Sequence, residues 1–489
     1  MTERVTAADT TAAAEVIVAG AGPTGLTLAC ELALAGVRTL VVERLPERIE
    51  QMKGGALQPR TQELFDLRGL LEPMRERALD REPAGGGHFA MLPVPLDYGA
   101  WDTAHPYPLS VPQGDVEAVL EERARALGVT VLRDTPVTAV AQTADGVRVT
   151  AGGREIGARY LMACDGGHST IRKLLQVPFP GRAGTYTAVL ADVRLTSVSE
   201  LVPQSIGHIS TLTRQVGDDW VMLVPLGEGR YRFTGGRTSG AELAKDRPVT
   251  FEEIAAQLRA VYGEETVLAE VVHASRFGDA TRQIERYRVG NVFFAGDAAH
   301  IHPPFGGQGL NLGVADAFNL GWKAAAVLRG RAPAGLLDTY HAERHPAGAW
   351  VLHITQAQRV FADPRPAEDV VELRTVFTQM LRLPEANRYL AGQMSGLSHA
   401  YELPGGHPLT GRRAAGLDPA LFHDGRPVLV DLAGILPDGL GAVRAAPVPG
   451  LPAALLVRPD GYVAWAADTT PDAAGLAALA AHPCRPLCG

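Results

Sequence analysis

The residues with the clearest chemistry are three glycines and an acid: Gly20, Gly22 and Gly25 in the stretch VIVAGAGPTG, and Glu43 further on. Gly20 allows a tight turn, Gly22 lets a pyrophosphate approach the backbone, and Gly25 lets a helix pack on a strand. A helix opening at Pro23 and Thr24 would offer free amides and a partial positive charge to the phosphates. Glu43 then lies where a carboxylate accepts hydrogen bonds from a ribose. The glycine pattern alone is weak in a chain with 54 glycines. The apolar strand before it, the helix after it and the acid at the right distance make it a dinucleotide site.

Two further stretches repeat the order of strand, turn and helix. CDGGHSTIRK, 164–173, puts Asp165 and Gly166 after an apolar run, and its bland reading is a helix capped by Asp165. GDAAHIHPPFGGQGLNLG, 296–313, puts Asp297 at a strand end. Pro304, Gly306, Gly307, Gln308 and Gly309 follow, ahead of a helix that begins near Leu310 and Asn311. A capping role explains Asp297 but not so many glycines; a backbone that must come close to a flat ring explains both. His300 and His302 form an i, i+2 pair without supporting acids, so no metal is expected there.

These stretches need elements to position them. Residues 15–44 read as a strand, a helix over 24–35 and a second strand, which implies a parallel sheet. A helix is expected over 59–79 and another over 115–127, followed by a small meander and a buried strand, RYLMAC, at 159–164. Alternation takes over between 181 and 275, as in TAVLADVRL and WVMLVPLGEGRYRFTGG, and predicts antiparallel strands. Thr250 with Glu253 predicts a capped helix over 251–262. The strand–loop–helix texture returns from 276, and from 396 GRPVLVDLAG and ALLVRPDGYVAWAA predict strands around a Pro-Asp-Gly turn. The expected organisation is a disordered tail at 1–14, nucleotide-binding parts at 15–180 and 276–395, a substrate-binding domain at 181–275, and a separate unit at 396–489.

Bulk properties narrow the function. The 489 residues exceed one ordinary core. The 46% apolar and 20% charged fractions fit a globular protein. A net charge of −8 argues against nucleic acid as a partner. No apolar run is long enough for a membrane span, and the polar first residues lack the apolar centre of a signal peptide. Cys30, Cys164, Cys484 and Cys488 have neither disulfide nor zinc spacing and fit a reducing cytoplasm.

In order and spacing, GAGPTG with Glu43, DGGHSTIR and GDAAHIHPPFGGQGLNLGVADAFNLGWK resemble the three FAD motifs of the single-component (class A) flavoprotein monooxygenases, which are p-hydroxybenzoate hydroxylase-like. QPRTQELFDLRGLL, ERYRVGNVFFAGDAAH, TYHAERH and VRPDGYVAWA resemble the branch that hydroxylates aromatic polyketides of the angucycline type. The resemblance covers nearly the whole chain. It implies an α/β fold with a Rossmann-like FAD-binding domain, an α+β substrate domain with an antiparallel sheet, and a thioredoxin-like C-terminal domain. It also implies FAD as cofactor, NAD(P)H as co-substrate with NADPH favoured, and O2. In such enzymes the reduced flavin takes up O2 as a hydroperoxide that hydroxylates a phenolic ring. The implied partner is a small aromatic polyketide, met by a monomer or a homodimer.

By the same resemblance, Gly20, Gly22, Pro23, Thr24 and Gly25 hold the pyrophosphate and Glu43 the adenosine ribose, with Arg44 and Val137 near the adenine. Gln113 contacts the flavin half, and Asp165 and Gly166 lie where FAD and the nicotinamide meet. Asp297 binds ribityl or pyrophosphate oxygens, and Pro304, Gly307, Gln308, Gly309, Leu310 and Asn311 hold the isoalloxazine. Where relatives carry an Arg, this chain has Lys53, which keeps the charge and loses the planar fork. Arg60 matches that family Arg better, and its bland reading is a solvated surface charge. Phe89, Trp220, Met222, Pro225 and Pro304 are expected to frame the substrate. No catalytic residue stands out; His88, Tyr231 and Arg214 are the candidates, and a lone His is more often structural. Baeyer–Villiger insertion, epoxidation and antibiotic inactivation fit the same fold, as does a reductase or oxidase without oxygen insertion. The intact glycine loop argues against a non-catalytic flavin binder.

Overall fold

A computed structural model describes residues 14–48, 55–79, 86–205, 208–238, 247–363 and 366–484. Residues 1–13 of the expected tail, Lys53 and Cys488 lie outside them.

Strands Val16–Ala19, Thr39–Val42 and Tyr160–Ala163 are buried along their whole length, as continuous apolar runs require in a parallel sheet. They form the centre of a six-stranded sheet in the order Arg288–Val289, Val292–Phe294, Tyr160–Ala163, Val16–Ala19, Thr39–Val42, Thr130–Leu132. Every neighbouring pair runs parallel except the first, an edge hairpin. The register pairs Ala19 with both Val42 and Ala163, and Ala163 with Phe294. Strands held in that register end at one level, so the turns after all four residues emerge at one edge of the sheet. Three stretches far apart in sequence thereby reach one place.

The helix expected over 59–79 is two helices, Pro59–Asp66 and Leu71–Arg75. The turn between them carries Arg68 inward, where it pairs with Glu31 at 2.6 Å and donates to the carbonyls of Phe422 and Pro459. A guanidinium this deeply buried needs all of those partners, and an uninterrupted helical pattern does not supply them.

A second sheet is antiparallel, in the order Thr213–Val216, Asp219–Gly227, Arg230–Arg237, Thr187–Ser197, Val267–Gly278. Its last strand runs past the boundary expected at 275. Helix Phe251–Tyr262 covers one face, and the hydroxyl of Thr250 caps it by accepting the Glu253 amide at 3.2 Å. Val221, Leu223, Tyr231 and Phe233 point into the core with Ile254 and Leu258. The alternate residues point the other way.

Residues 428–481 form a four-stranded mixed sheet with one helix, Ala473–Ala481. Its strands Ala454–Val457 and Val463–Ala467 pair antiparallel around the expected Pro459-Asp460-Gly461 turn. Cys484 is buried in this unit's core, which fits a packing role. Among the described residues no helix is long and apolar enough to cross a membrane.

Candidate active site

The turns at the sheet edge open on one cavity of about 1940 Å³. Pockets for a single small ligand run to roughly 300–1,000 Å³, so this one has room for a large cofactor and a second molecule. Gly20, Gly22, Pro23, Thr24, Glu43 and Arg44 line it, with Gln113, Val137, Asp165 and Gly166.

The glycine turn fits a pyrophosphate on local geometry. Gly20 has φ +107, and a Cβ there would fall 2.3 Å from the Cys164 carbonyl oxygen. A Cβ on Gly25, which does not line the cavity, would fall 2.0 Å from the Gly20 oxygen. A Cβ on Gly22 would meet nothing within 4 Å. Two of the glycines are thus required by the fold, and the third faces the space a ligand would fill. Glu43 is fixed for its part, since its carboxylate accepts the Ala21 amide at 2.8 Å and the Leu45 amide at 2.9 Å.

The glycine loop at the other end is tightly braced. Gly306 and Gly307 have φ +72 and +62, and helix Gln308–Leu328 starts directly after them without a side-chain cap. Its first residues, Gln308, Gly309 and Leu310, line the cavity, so the free amides of the helix end suit an anionic or polarised ring edge. Gly307 and Pro304 line the same wall. Asp297 is exposed into the cavity between buried Gly296 and Ala298, and its carboxylate makes no hydrogen bond to a described residue. An unpartnered carboxylate beside an uncapped helix start, facing an open glycine turn, fits FAD: hydroxyls of the ribityl chain would bond the acid and phosphates the amides.

Besides Gly25, two expected contacts lie elsewhere. Asn311 does not line the cavity. It holds the loop from behind, accepting the Gln58 amide at 2.8 Å and donating to the carbonyls of Ala56 and Gly307. Arg60 turns away to the carboxy-terminal unit, donating to the Asp460 carbonyl at 2.6 Å and pairing with Glu63 at 2.8 Å. It is neither a cavity residue nor a solvated charge. Asp165 lines the cavity, and its carboxylate accepts the Ile171 amide at 3.1 Å and the hydroxyl of Ser169, which is itself the residue that caps helix Thr170–Leu174.

The residue that ties the site together was not anticipated. Asp316 is fully buried and accepts the Gly296 amide at 3.1 Å, His300 Nε2 at 2.8 Å and Arg344 Nε at 2.7 Å. It joins the turn carrying Asp297 to the helix carrying the glycine loop. Burial pushes its carboxyl up, but Arg344 and His300 outweigh that and hold it below the ordinary range. A charged residue on an apolar helix face was the available signal, because a buried charge must be paired.

Elsewhere on the cavity wall, Arg48 and Arg133 converge on Glu121 at 3.0 and 2.6 Å, with Arg125 at 2.7 Å. Burial raises the Glu121 pKa, yet the three guanidiniums bring it down to about 2. A depressed carboxylate stabilises the fold above its unfolded pKa of about 4.3 and loses that contribution as pH falls toward the folded value. The variant Glu121→Gln should therefore be less stable than wild type at neutral pH by about 1 kcal/mol after solvent screening. The gap should close between about pH 4.3 and pH 2 in thermal melts. A gap that is unchanged at low pH would contradict the assignment.

The antiparallel sheet forms the floor of the other half, and strand alternation sorts the expected substrate residues. Trp220, Met222, Val224 and Leu226 line the cavity, as do Arg232 and Thr234. Pro225 and Tyr231 alternate with them and face away, Tyr231 into the core beneath helix Phe251–Tyr262. Arg214 lies between the cavity-lining Thr213 and Gln215 and donates to the Val261 carbonyl instead. A one-residue step along a strand reverses the face, which is why Tyr231 and Arg214 are not candidates for chemistry. Phe89 packs outside the cavity against Phe361 and Phe377. His88 and Pro304 do line the cavity. Cys164 also lines it, but burial pushes its thiol far up, so it supplies no thiolate.

Comparison with known proteins adds a third line. The family described as "FAD binding domain" matches residues 13–355, and that described as "Aromatic-ring hydroxylase, C-terminal" matches residues 407–484. The chain is 44% identical over 487 residues to the 12-dehydrotetracycline 5-monooxygenase/anhydrotetracycline 6-monooxygenase of Streptomyces rimosus, covering 93% of this chain and 95% of that protein. The solved structure of OxyS anhydrotetracycline hydroxylase from Streptomyces rimosus superposes with a TM-score of 0.86 at 43% identity, covering 96% of this chain and 98% of that one. CabE, an aromatic hydroxylase from angucycline biosynthesis, superposes with a TM-score of 0.83 at 38% identity, covering 97% and 99%.

Proposed function

This chain belongs to the FAD-binding aromatic-ring hydroxylases, a family of flavin-dependent monooxygenases, and we propose that it hydroxylates a polycyclic aromatic polyketide in antibiotic biosynthesis. The observation that carries the reading is the single cavity that joins a dinucleotide cradle to an apolar sheet floor. FAD, when bound, supplies the activation of O2. The protein's own residues do the rest. Gly22 and the start of helix Pro23–Leu34 take the phosphates, Glu43 the ribose and Asp297 the ribityl hydroxyls. The uncapped amides at Gln308 and Gly309 would favour negative charge on the flavin's pyrimidine edge. Trp220, Met222, Val224 and Leu226 give a fused aromatic system a flat apolar bed and keep water from the reacting face. NAD(P)H, with NADPH favoured, reaches the flavin transiently from the same cavity, and the protein works as a monomer or homodimer in the cytoplasm.

The test uses isotope-labelled O2 with the FAD-loaded enzyme, NADPH and a panel of polycyclic phenols headed by anhydrotetracycline. The expected result is one label in the product per NADPH consumed. Stoichiometric H2O2 with no labelled product across the panel would overturn the reading and favour an oxidase.

A further inference from the structure

His88 lines the cavity from the segment 86–97. Its ring meets that of His208 edge to face, with centroids 6.3 Å apart. His208 caps the short helix Ile209–Leu212, accepting the Ser210 amide through Nδ1. The contact thus joins the segment that carries His88 to the helix leading into strand Thr213–Val216.

The two nitrogens of His88 are not equivalent. Nδ1 is sealed from solvent and bonded to nothing among the described residues. Nε2 is not sealed and has no partner among the described residues either, so with Nδ1 closed off it is the nitrogen left to a ligand in the cavity that His88 lines. Burial and the neighbouring His208 push its pKa down to about 4, so the ring is neutral at working pH and carries one proton. A bare ring nitrogen is cheaper to seal away than an N–H with no acceptor. The proton therefore belongs on Nε2, where a ligand in the cavity can accept it.

We propose that His88 is a positioning residue whose Nε2–H donates to a ring oxygen of the substrate, a carbonyl or an ionised phenol, and so sets which carbon faces the flavin. This rests on the polyketide reading and deepens it. The bed formed by Trp220, Met222 and Val224 grips a flat ring system without fixing its rotation, and one directional donor at the wall supplies that. His88 does not act as the base, because a phenol would give up its proton to this imidazole only against a pKa gap of several units.

The test compares wild type, His88→Phe and His88→Gln, each loaded with FAD. Phe keeps the ring volume and removes the donor; Gln places an amide N–H near the Nε2 position. Anhydrotetracycline and 1,8-dihydroxyanthraquinone are titrated against the oxidised enzyme, and product is counted per NADPH consumed. The phenylalanine variant should retain full FAD content, bind about tenfold more weakly, and release more H2O2 with mixed regiochemistry. The glutamine variant should stay within about threefold of wild type. Wild-type affinity and coupling in His88→Phe would overturn the assignment, as would equal damage in His88→Gln, which would make the role one of packing. If wild type binds neither probe and hydroxylates nothing in the panel, the substrate reading falls first and this assignment with it.

Discussion

Replacing Asp316 with Ala should lower stability by about 3–5 kcal/mol and strip the enzyme of FAD. The carboxylate is fully buried and is the only acidic partner given to the buried Arg344 among the described residues. Its loss leaves a guanidinium without a counter-charge, which costs far more than a hydrogen bond. It also frees the Gly296 amide and His300, so the turn that presents Asp297 loses its anchor to the helix Gln308–Leu328. Asp316→Asn retains an acceptor but not the charge, and should fall between Ala and wild type. Asp338→Asn is the control: Asp338 pairs with Arg288 at 2.7 Å, but its side chain is 71% exposed, so its loss should cost under about 1 kcal/mol. Denaturation curves and the visible flavin absorbance of purified protein check both halves. A stable, yellow Asp316→Ala protein would refute the role.

The second large effect separates binding from folding within one motif. Gly22→Ala should give a folded protein whose affinity for FAD is about a hundredfold lower. The added methyl has empty space in the free protein, and that space is where a phosphate would contact the backbone. Gly25→Ala should fail earlier, because its methyl would fall 2.0 Å from the Gly20 oxygen and push helix Pro23–Leu34 off the sheet. Circular dichroism separates the two cases, and FAD titration of the apoprotein measures the first. Equal folding defects in both variants would show that Gly22 is structural and that the cradle lies elsewhere.

Much of this protein was legible in its sequence because the informative patterns are local. A strand, a glycine turn and a helix are each written in adjacent residues, so the positions of Gly20, Glu43, Asp165 and Asp297 at strand ends could be read directly. The Thr250 cap and the Pro459-Asp460-Gly461 turn were legible for the same reason. Alternation identified the antiparallel sheet, and it could also have placed Val224, Leu226 and Thr234 beside Trp220 and Met222. Pro225, Tyr231 and Arg214, each on a different strand, fall out of step with the residues that line the cavity.

What the tertiary structure alone decided is where the side chains at the borders go. Arg60 and Arg68 lie on or beside a helix that resembles a cofactor-binding segment, yet both are drawn to the turn at 459–461, some four hundred residues away in the chain. Asp316, His300 and Arg344 come from three segments, and no spacing rule links them. His88 and His208 meet only because the segments that carry them pack together in the folded chain. Backbone motifs are set by steric rules that act over a few residues, so the sequence determines them. Buried charges and orphaned polar atoms depend on which elements pack together, so only the folded chain determines them.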